Sequence, residues 1–127
     1  MPSPEQIRGA VDAYVTAYNA NDRAGFLDAF ADDGVLIDPV GTPPHEGAEA
    51  LGAFWDLVHG MTDAIKLDVS AVHVCDGGEA AMVFRIQAGE GANGMVINAV
   101  ETFCVDDAGK ITLLKAYWDM GEVTAAG

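Results

Sequence analysis

Residues 35–47 read VLIDPVGTPPHEG, three apolar side chains that run straight into an aspartate and then into a proline-rich loop. Asp38 is flanked by Ile37 and, beyond Pro39, by Val40. The residue before a proline is pushed toward extended conformations, so Asp38 cannot continue a helix. Pro39 has no N–H to give a ladder and cannot sit inside a central strand. Asp38 therefore stands where an apolar strand stops and a stiff loop begins. Rigid elements present catalytic side chains to cavities at such junctions. Read alone, the same aspartate could equally open an Asx-type turn before the proline.

On the N-terminal side of this stretch the apolar period is helical. Ser3 suits an N-cap, Pro4 the first helical position, and Glu5 and Gln6 the first turn. Ile7, Ala10, Val11, Tyr14, Val15 and Tyr18 share one face. They predict a helix over Ser3–Ala20 whose apolar stripe carries two hydroxyl tips. Asp22 then caps a second helix with Phe26, Leu27 and Phe30 inward, closed by Asp32-Asp33-Gly34, with Gly34 in a left-handed position. Val35 to Ile37 form a short strand. His45-Glu46-Gly47 reads as loop or cap before a third helix from Ala48 to about His59, which buries Leu51, Phe54, Trp55 and Val58 and ends at Gly60.

On the C-terminal side the period changes to two from Ala64 onward, the mark of strands. Leu67, Val69 and Ala71 alternate with Lys66, Asp68 and Ser70, and Met82, Phe84 and Ile86 alternate with Val83, Arg85 and Gln87. Asp76-Gly77-Gly78 and Asp106-Asp107-Ala108-Gly109 are hairpin turns, and Gly89 to Gly94 is a glycine-rich turn. Strands over Met95–Val105 and Ile111–Asp119 complete the pattern. Three helices followed by an antiparallel meander is an α+β arrangement of one domain, 1–127. A curved sheet folded over the helices leaves a cone-shaped apolar cavity.

With six Lys and Arg against twenty Asp and Glu, the net charge is −14, so the chain has no cationic footprint for nucleic acid. Anionic membrane surfaces and polyanionic substrates are disfavoured for the same reason, which leaves a neutral, apolar or cationic ligand. Cys75 and Cys104 lie in no metal-ligand spacing and read as two buried thiols in a reducing cytoplasm. No basic-then-apolar leader and no run of ~18 apolar residues is present, so a soluble, cytoplasmic protein is expected. His59 and His73 show no partner spacing for a metal and read as structural.

Two further residues break the apolar pattern as Asp38 does. Tyr14 lies mid-stripe on the first helix, where a buried hydroxyl needs a partner. It could also be an ordinary amphipathic core residue. Glu101 follows Ile97 and Ala99 and precedes Phe103 at every second position, so parity puts it on their face. If that face is inward, Glu101 is a carboxyl in a dry pocket that avoids burying a charge by keeping its proton. If the opposite parity faces the core, Glu101 is an outward strand residue.

The segments DAYVTAYNAND, AFADDGVLIDPVGTPPHEG, FRIQ and DDAGKITLLKAYW span nearly the whole length. In them the chain resembles the bacterial Δ5-3-ketosteroid isomerases, of the nuclear-transport-factor-2-like (SnoaL-like, cystatin-like) cone fold. The resemblance implies three N-terminal helices in the concave side of a curved, mostly antiparallel sheet. It implies that Asp38 is the general base and that Tyr14 is a donor to the developing dienolate oxygen. Glu101 falls on the family's second, protonated donor, a carboxylic acid kept neutral in an apolar site. That donor is normally aspartate, and the extra methylene reaches roughly 1.5 Å further. Phe84, Met82, Trp118, Phe54, Trp55, Phe30, Val40 and Ala116 fall on apolar positions around the family's steroid. Phe30 and Trp55 replace tyrosines that support the oxyanion tyrosine in well-studied members. A homodimer, a small-molecule steroid partner, and neither cofactor nor metal are implied. Other enzymes of the fold (polyketide cyclases, dehydratases, epoxide hydrolases) and non-catalytic binders of apolar ligands are the alternatives. Epoxide hydrolysis wants an Asp–Arg–Asp set, and Arg85 sits on the parity opposite Phe84.

Overall fold

The computed structural model describes residues 1–62, 64–89 and 94–125. Three helices, α1 (Pro4–Asn19), α2 (Arg23–Asp28) and α3 (Gly47–Met61), pack on one curved sheet. The strands are β1 (Phe30–Ile37), β2 (His45–Glu46), β3 (Ile65–Cys75), β4 (Glu79–Ala88), β5 (Met95–Val105), β6 (Ile111–Tyr117) and β7 (Val123–Ala125). Their order is β2-β1-β6-β5-β4-β3, with β7 beside β5. The β1–β6 pairing is parallel and the other pairings between strands are antiparallel, so the expected mostly antiparallel sheet is present and its ends stay open.

Helix α1 starts as its sequence predicts. Ser3 Oγ accepts from the Gln6 N–H at 3.1 Å and Gln6 Oε1 accepts from the Ser3 N–H at 2.9 Å, a reciprocal cap for two otherwise orphaned donors. At the other end Asn19 docks the helix on β3: its Oδ1 accepts from the Leu67 N–H at 2.8 Å and its Nδ2 donates to the Leu67 carbonyl at 3.2 Å. These ties aim the face carrying Ile7, Val11, Tyr14 and Tyr18 into the sheet. Phe26, Leu36, Leu51, Phe103, Ile111 and Leu114 close the core around them, each at most 1% exposed. Asp22 caps α2 through a 2.9 Å bond from the Gly25 N–H.

Several boundaries differ from the sequence reading. Helix α2 ends at Asp28, and Phe30 opens β1 instead of closing the helix, although it is buried as expected. Asp32-Asp33-Gly34 is a bulge inside β1, because the pairing with β6 jumps from Phe30↔Ile111 to Val35↔Leu113. Gly34 is not left-handed. A Cβ there would lie 3.0 Å from the Ala31 carbonyl oxygen and 3.1 Å from that of Ile111, so glycine is needed for close backbone approach. Helix α3 runs through Gly60 to Met61, and His45-Glu46 is a short strand on β1.

In β3 a register shift between Val69 and Ala71 turns Val72 and Val74, rather than Ala71, toward the core. Strand β6 stops at Tyr117, and a 3₁₀ turn (Met120–Glu122) then leads into β7, which the sequence reading does not contain. The Asp76–Gly78 and Asp106–Gly109 hairpins form as read, with Gly78 at φ 77°. Positions 90–93 of the glycine-rich turn lie outside the described residues. Cys75 is exposed and Cys104 half-buried, not a buried pair, because both fall on outward positions of their strands.

Candidate active site

Strand β5 carries Ile97, Ala99, Glu101 and Phe103 on its helix-facing side, all buried. Glu101 is 1% exposed and is the one charged-type side chain buried among the described residues. Met82 on β4 and Ala116 on β6 are its cross-strand neighbours, both fully buried, so the carboxyl sits between two apolar walls. The Tyr14 hydroxyl, reaching in from α1, donates to Glu101 Oε2 at 3.2 Å. The second oxygen, Oε1, is buried with no hydrogen-bond partner among the described residues. Burial pushes the Glu101 carboxyl well above its usual range, the nearby Asp38 charge adds to this, and the Tyr14 hydrogen bond opposes it. The protonated form is therefore favoured, and a proton on Oε1 would be a donor without an acceptor among the described residues.

Tyr14 is held by aromatic edges. The rings of Tyr18, Phe103, Phe26 and Phe30 lie 5.2, 5.5, 6.1 and 6.4 Å from its own. Burial, followed by the charge of Glu101, raises its phenol well above the ordinary value, so it stays a donor. Phe30 contributes a ring edge and no hydroxyl. Trp55 does not reach Tyr14 directly; it packs behind it, with its ring 4.8 Å from Tyr18, 4.9 Å from Phe26 and 3.9 Å from His59.

Asp38 follows the last residue of β1, beside the end of β6. The Val40 N–H donates to the Ala116 carbonyl at 2.8 Å, which pins the Asp38-Pro39 turn to the strand next to Glu101. The Trp118 indole N–H donates to Asp38 Oδ1 at 2.8 Å. Burial raises the Asp38 carboxyl, while the Trp118 hydrogen bond and the charge of His45 pull it back down. One carboxyl is thus fully buried and strongly raised, and the other is half-buried and held by a donor. The neutral form is favoured more strongly at Glu101 than at Asp38.

The structure assembles Tyr14, Glu101, Met82 and Ala116 around one point and joins Asp38 to Trp118 at its edge. Phe84 lies two residues along β4 from Met82, opposite Ala99. Phe54 packs against His45, rings 5.0 Å apart, on the α3 side. A concavity of about 710 Å³ takes in Val40, Phe84 and Trp118 together with the outward-facing Val83, Arg85 and Asn98. It lies over the outer face of β4 and β5; Tyr14 and Glu101 are on the inner side. Arg85 pairs with Asp68 at 2.8 Å on that outer face.

Two contributions escape the sequence reading. Trp118 is legible as an apolar wall, but its role as donor to Asp38 spans 80 positions and leaves no local signal. His45 reads as a loop or cap residue, yet β2 pairs it with Leu36, close enough for its charge to act on Asp38. Among the described residues no cluster of three His, Cys, Asp or Glu side chains could hold a metal ion, and no helix is long and apolar enough to cross a membrane.

The SnoaL-like domain family matches residues 11–114. A steroid Delta-isomerase of Nocardioides simplex is 27% identical over 118 residues, 93% of this chain and 94% of that protein. The structure of RV0760c from Mycobacterium tuberculosis in complex with estradiol-17beta-hemisuccinate superposes with a TM-score of 0.85 at 26% identity, covering 94% of this chain and 98% of that one. SalBIII, an epoxide hydrolase/cyclase-like enzyme in pyran ring formation, superposes with a TM-score of 0.88 over 98% of this chain and 99% of its own, at 21% identity, a likeness of fold.

Proposed function

The chain belongs to the SnoaL-like domain family, and we propose that within it the protein is a cofactor-free steroid Δ5-isomerase, converting 3-oxo-Δ5-steroids to 3-oxo-Δ4-steroids. The observation that carries this reading is the pairing of Tyr14 with a buried, unsatisfied Glu101 across the site from Asp38. The similarity to a steroid Delta-isomerase and to a structure holding an estradiol derivative supports the substrate class.

In this reading the Asp38 carboxylate removes a proton from C4. The C4–H electrons become the C3–C4 double bond of a dienolate, and the C3 carbonyl oxygen takes the negative charge. The Tyr14 hydroxyl and the Glu101 proton on Oε1 donate to that oxygen, stabilising charge only as it develops. Asp38 then returns the proton to C6 while the double bond settles at C4–C5. Atoms and electrons balance without a cofactor. The apolar walls suit a neutral, rigid substrate, and Trp118 keeps the base oriented and ionised. A homodimer joined through the sheet belongs to the same reading, and Val83 and Tyr117, each 42% exposed on the outer face, are the side chains it would cover.

Ring-opening or cyclising chemistry, as named for SalBIII, finds less support. The one arginine near the sheet centre, Arg85, is committed to Asp68 on the outer face. Purified protein with 5-androstene-3,17-dione, followed by the ultraviolet absorbance of the conjugated enone, tests the proposal. Tyr14→Phe is expected to lower kcat by about 10²–10³ with KM little changed. Absence of conversion by the wild type, or a pure KM effect, would count against it.

A further inference from the structure

Tyr18 is a buried phenol that the mechanism above leaves unused. It lies one helical turn after Tyr14 on the same face of α1 and is 6% exposed. Its ring meets that of Tyr14 edge-on at 5.2 Å, and its other sides are filled by Phe26 at 5.5 Å, Trp55 at 4.8 Å and His59 at 5.8 Å. The ring is therefore fixed, and with it the direction of the hydroxyl. The two phenols share one face of α1 and no hydrogen bond joins their hydroxyls in the structure; burial, first of all, raises the Tyr18 phenol well above its ordinary value, so it keeps a proton to donate.

We infer that Tyr18 is a positioning residue for the oxyanion site, its hydroxyl supporting that of the Tyr14 ring it packs against. Tyr14 has one proton to give. When the substrate oxygen takes that proton's hydrogen bond, the Tyr14 oxygen is left open as an acceptor, and Tyr18 is the hydroxyl beside it. A hydrogen bond received there polarises the Tyr14 O–H and strengthens what it donates. The stacked rings of Trp55 and His59, 3.9 Å apart, pack against Tyr18, and the His59 ring is itself anchored through Nδ1 to the Trp55 carbonyl at 2.9 Å. The inference rests on the isomerase reading and adds to it a residue that acts through Tyr14.

Tyr18→Phe tests it, since the ring and its packing are kept. The expected result is an unchanged melting temperature, a kcat about tenfold lower and a KM within about twofold, as for a group acting on the transition state. In a Tyr14→Phe background the same change should cost less than about twofold, because its route is gone. Affinity for estradiol, whose phenol oxygen presents a dienolate-like acceptor, should fall in parallel, again only when Tyr14 is present. Full kcat in Tyr18→Phe, or an equal loss in both backgrounds, overturns the assignment while leaving the isomerase reading intact. A wild-type protein that neither isomerises the steroid nor binds estradiol removes both.

Discussion

At the scale of single residues, the proposed chemistry depends on two carboxyls pushed in the same direction to different degrees. Burial raises the Glu101 carboxyl well above its ordinary value, so the folded state binds its proton more tightly than the unfolded chain does. Its contribution to stability is therefore full below pH 4.5 and is lost as pH rises through the folded value. Glu101→Gln, which cannot ionise, should gain in unfolding free energy relative to wild type as pH rises above that point, by about 1.4 kcal/mol per pH unit until the folded value is passed. A difference that does not change with pH would mean that Glu101 is not buried as a neutral acid. For Asp38 the Trp118 donor works against burial. In Trp118→Phe the acid limb of the kcat/KM profile should move to higher pH by about one unit, the worth of one hydrogen bond to a charged group. A limb that stays in place would detach Trp118 from the base.

At the scale of elements, the sequence is a good guide where one local rule acts and a poor one where two strands meet. The capping box of α1, the Asp22 cap and the two hairpins are each written in neighbouring residues, and each forms as read. The parity argument for Glu101 also holds, because β5 is regular from Met95 to Val105 and nothing flips its faces. It fails in β3, where a register shift near Ser70 reverses the alternation. Gly34 reads as a helix stop, since a glycine after two aspartates fits that role; its true constraint is the Ile111 backbone, 77 positions away and invisible locally. Gly34→Ala should therefore cost about 1–3 kcal/mol in chemical denaturation, as overpacking does. Were Gly34 merely a cap or loop residue, the cost would be near zero. Asp38, Tyr14 and Glu101 stand out in the sequence because each is a polar residue breaking an apolar period, and the structure places Tyr14 and Glu101 in contact in the core. The Trp118 hydrogen bond to Asp38 and the closeness of His45 to that carboxyl leave no such mark, because they are reached only through the sheet.

At the scale of the whole molecule, an acidic chain of net charge −14 carries a dry, nearly neutral interior in which the site is built. The helices seal one side of the curved sheet and the other side is left with exposed apolar side chains. If that face joins two copies, sedimentation should give a mass near twice the chain's 13.2 kDa, and Val83→Lys should shift it toward the monomer. A wild-type monomer at assay concentrations would exclude the dimer and leave the site unaffected. The central claim is that a single base, Asp38, carries one proton from C4 to C6 inside a site that excludes water. It is tested most directly by isomerising a 3-oxo-Δ5-steroid deuterated at C4 in ordinary water and locating the label. The account predicts product with a substantial share of deuterium at C6, and none formed by Asp38→Asn at more than about 10⁻² of the wild-type rate. Product without deuterium at C6, or an Asp38→Asn variant as active as wild type, would contradict it.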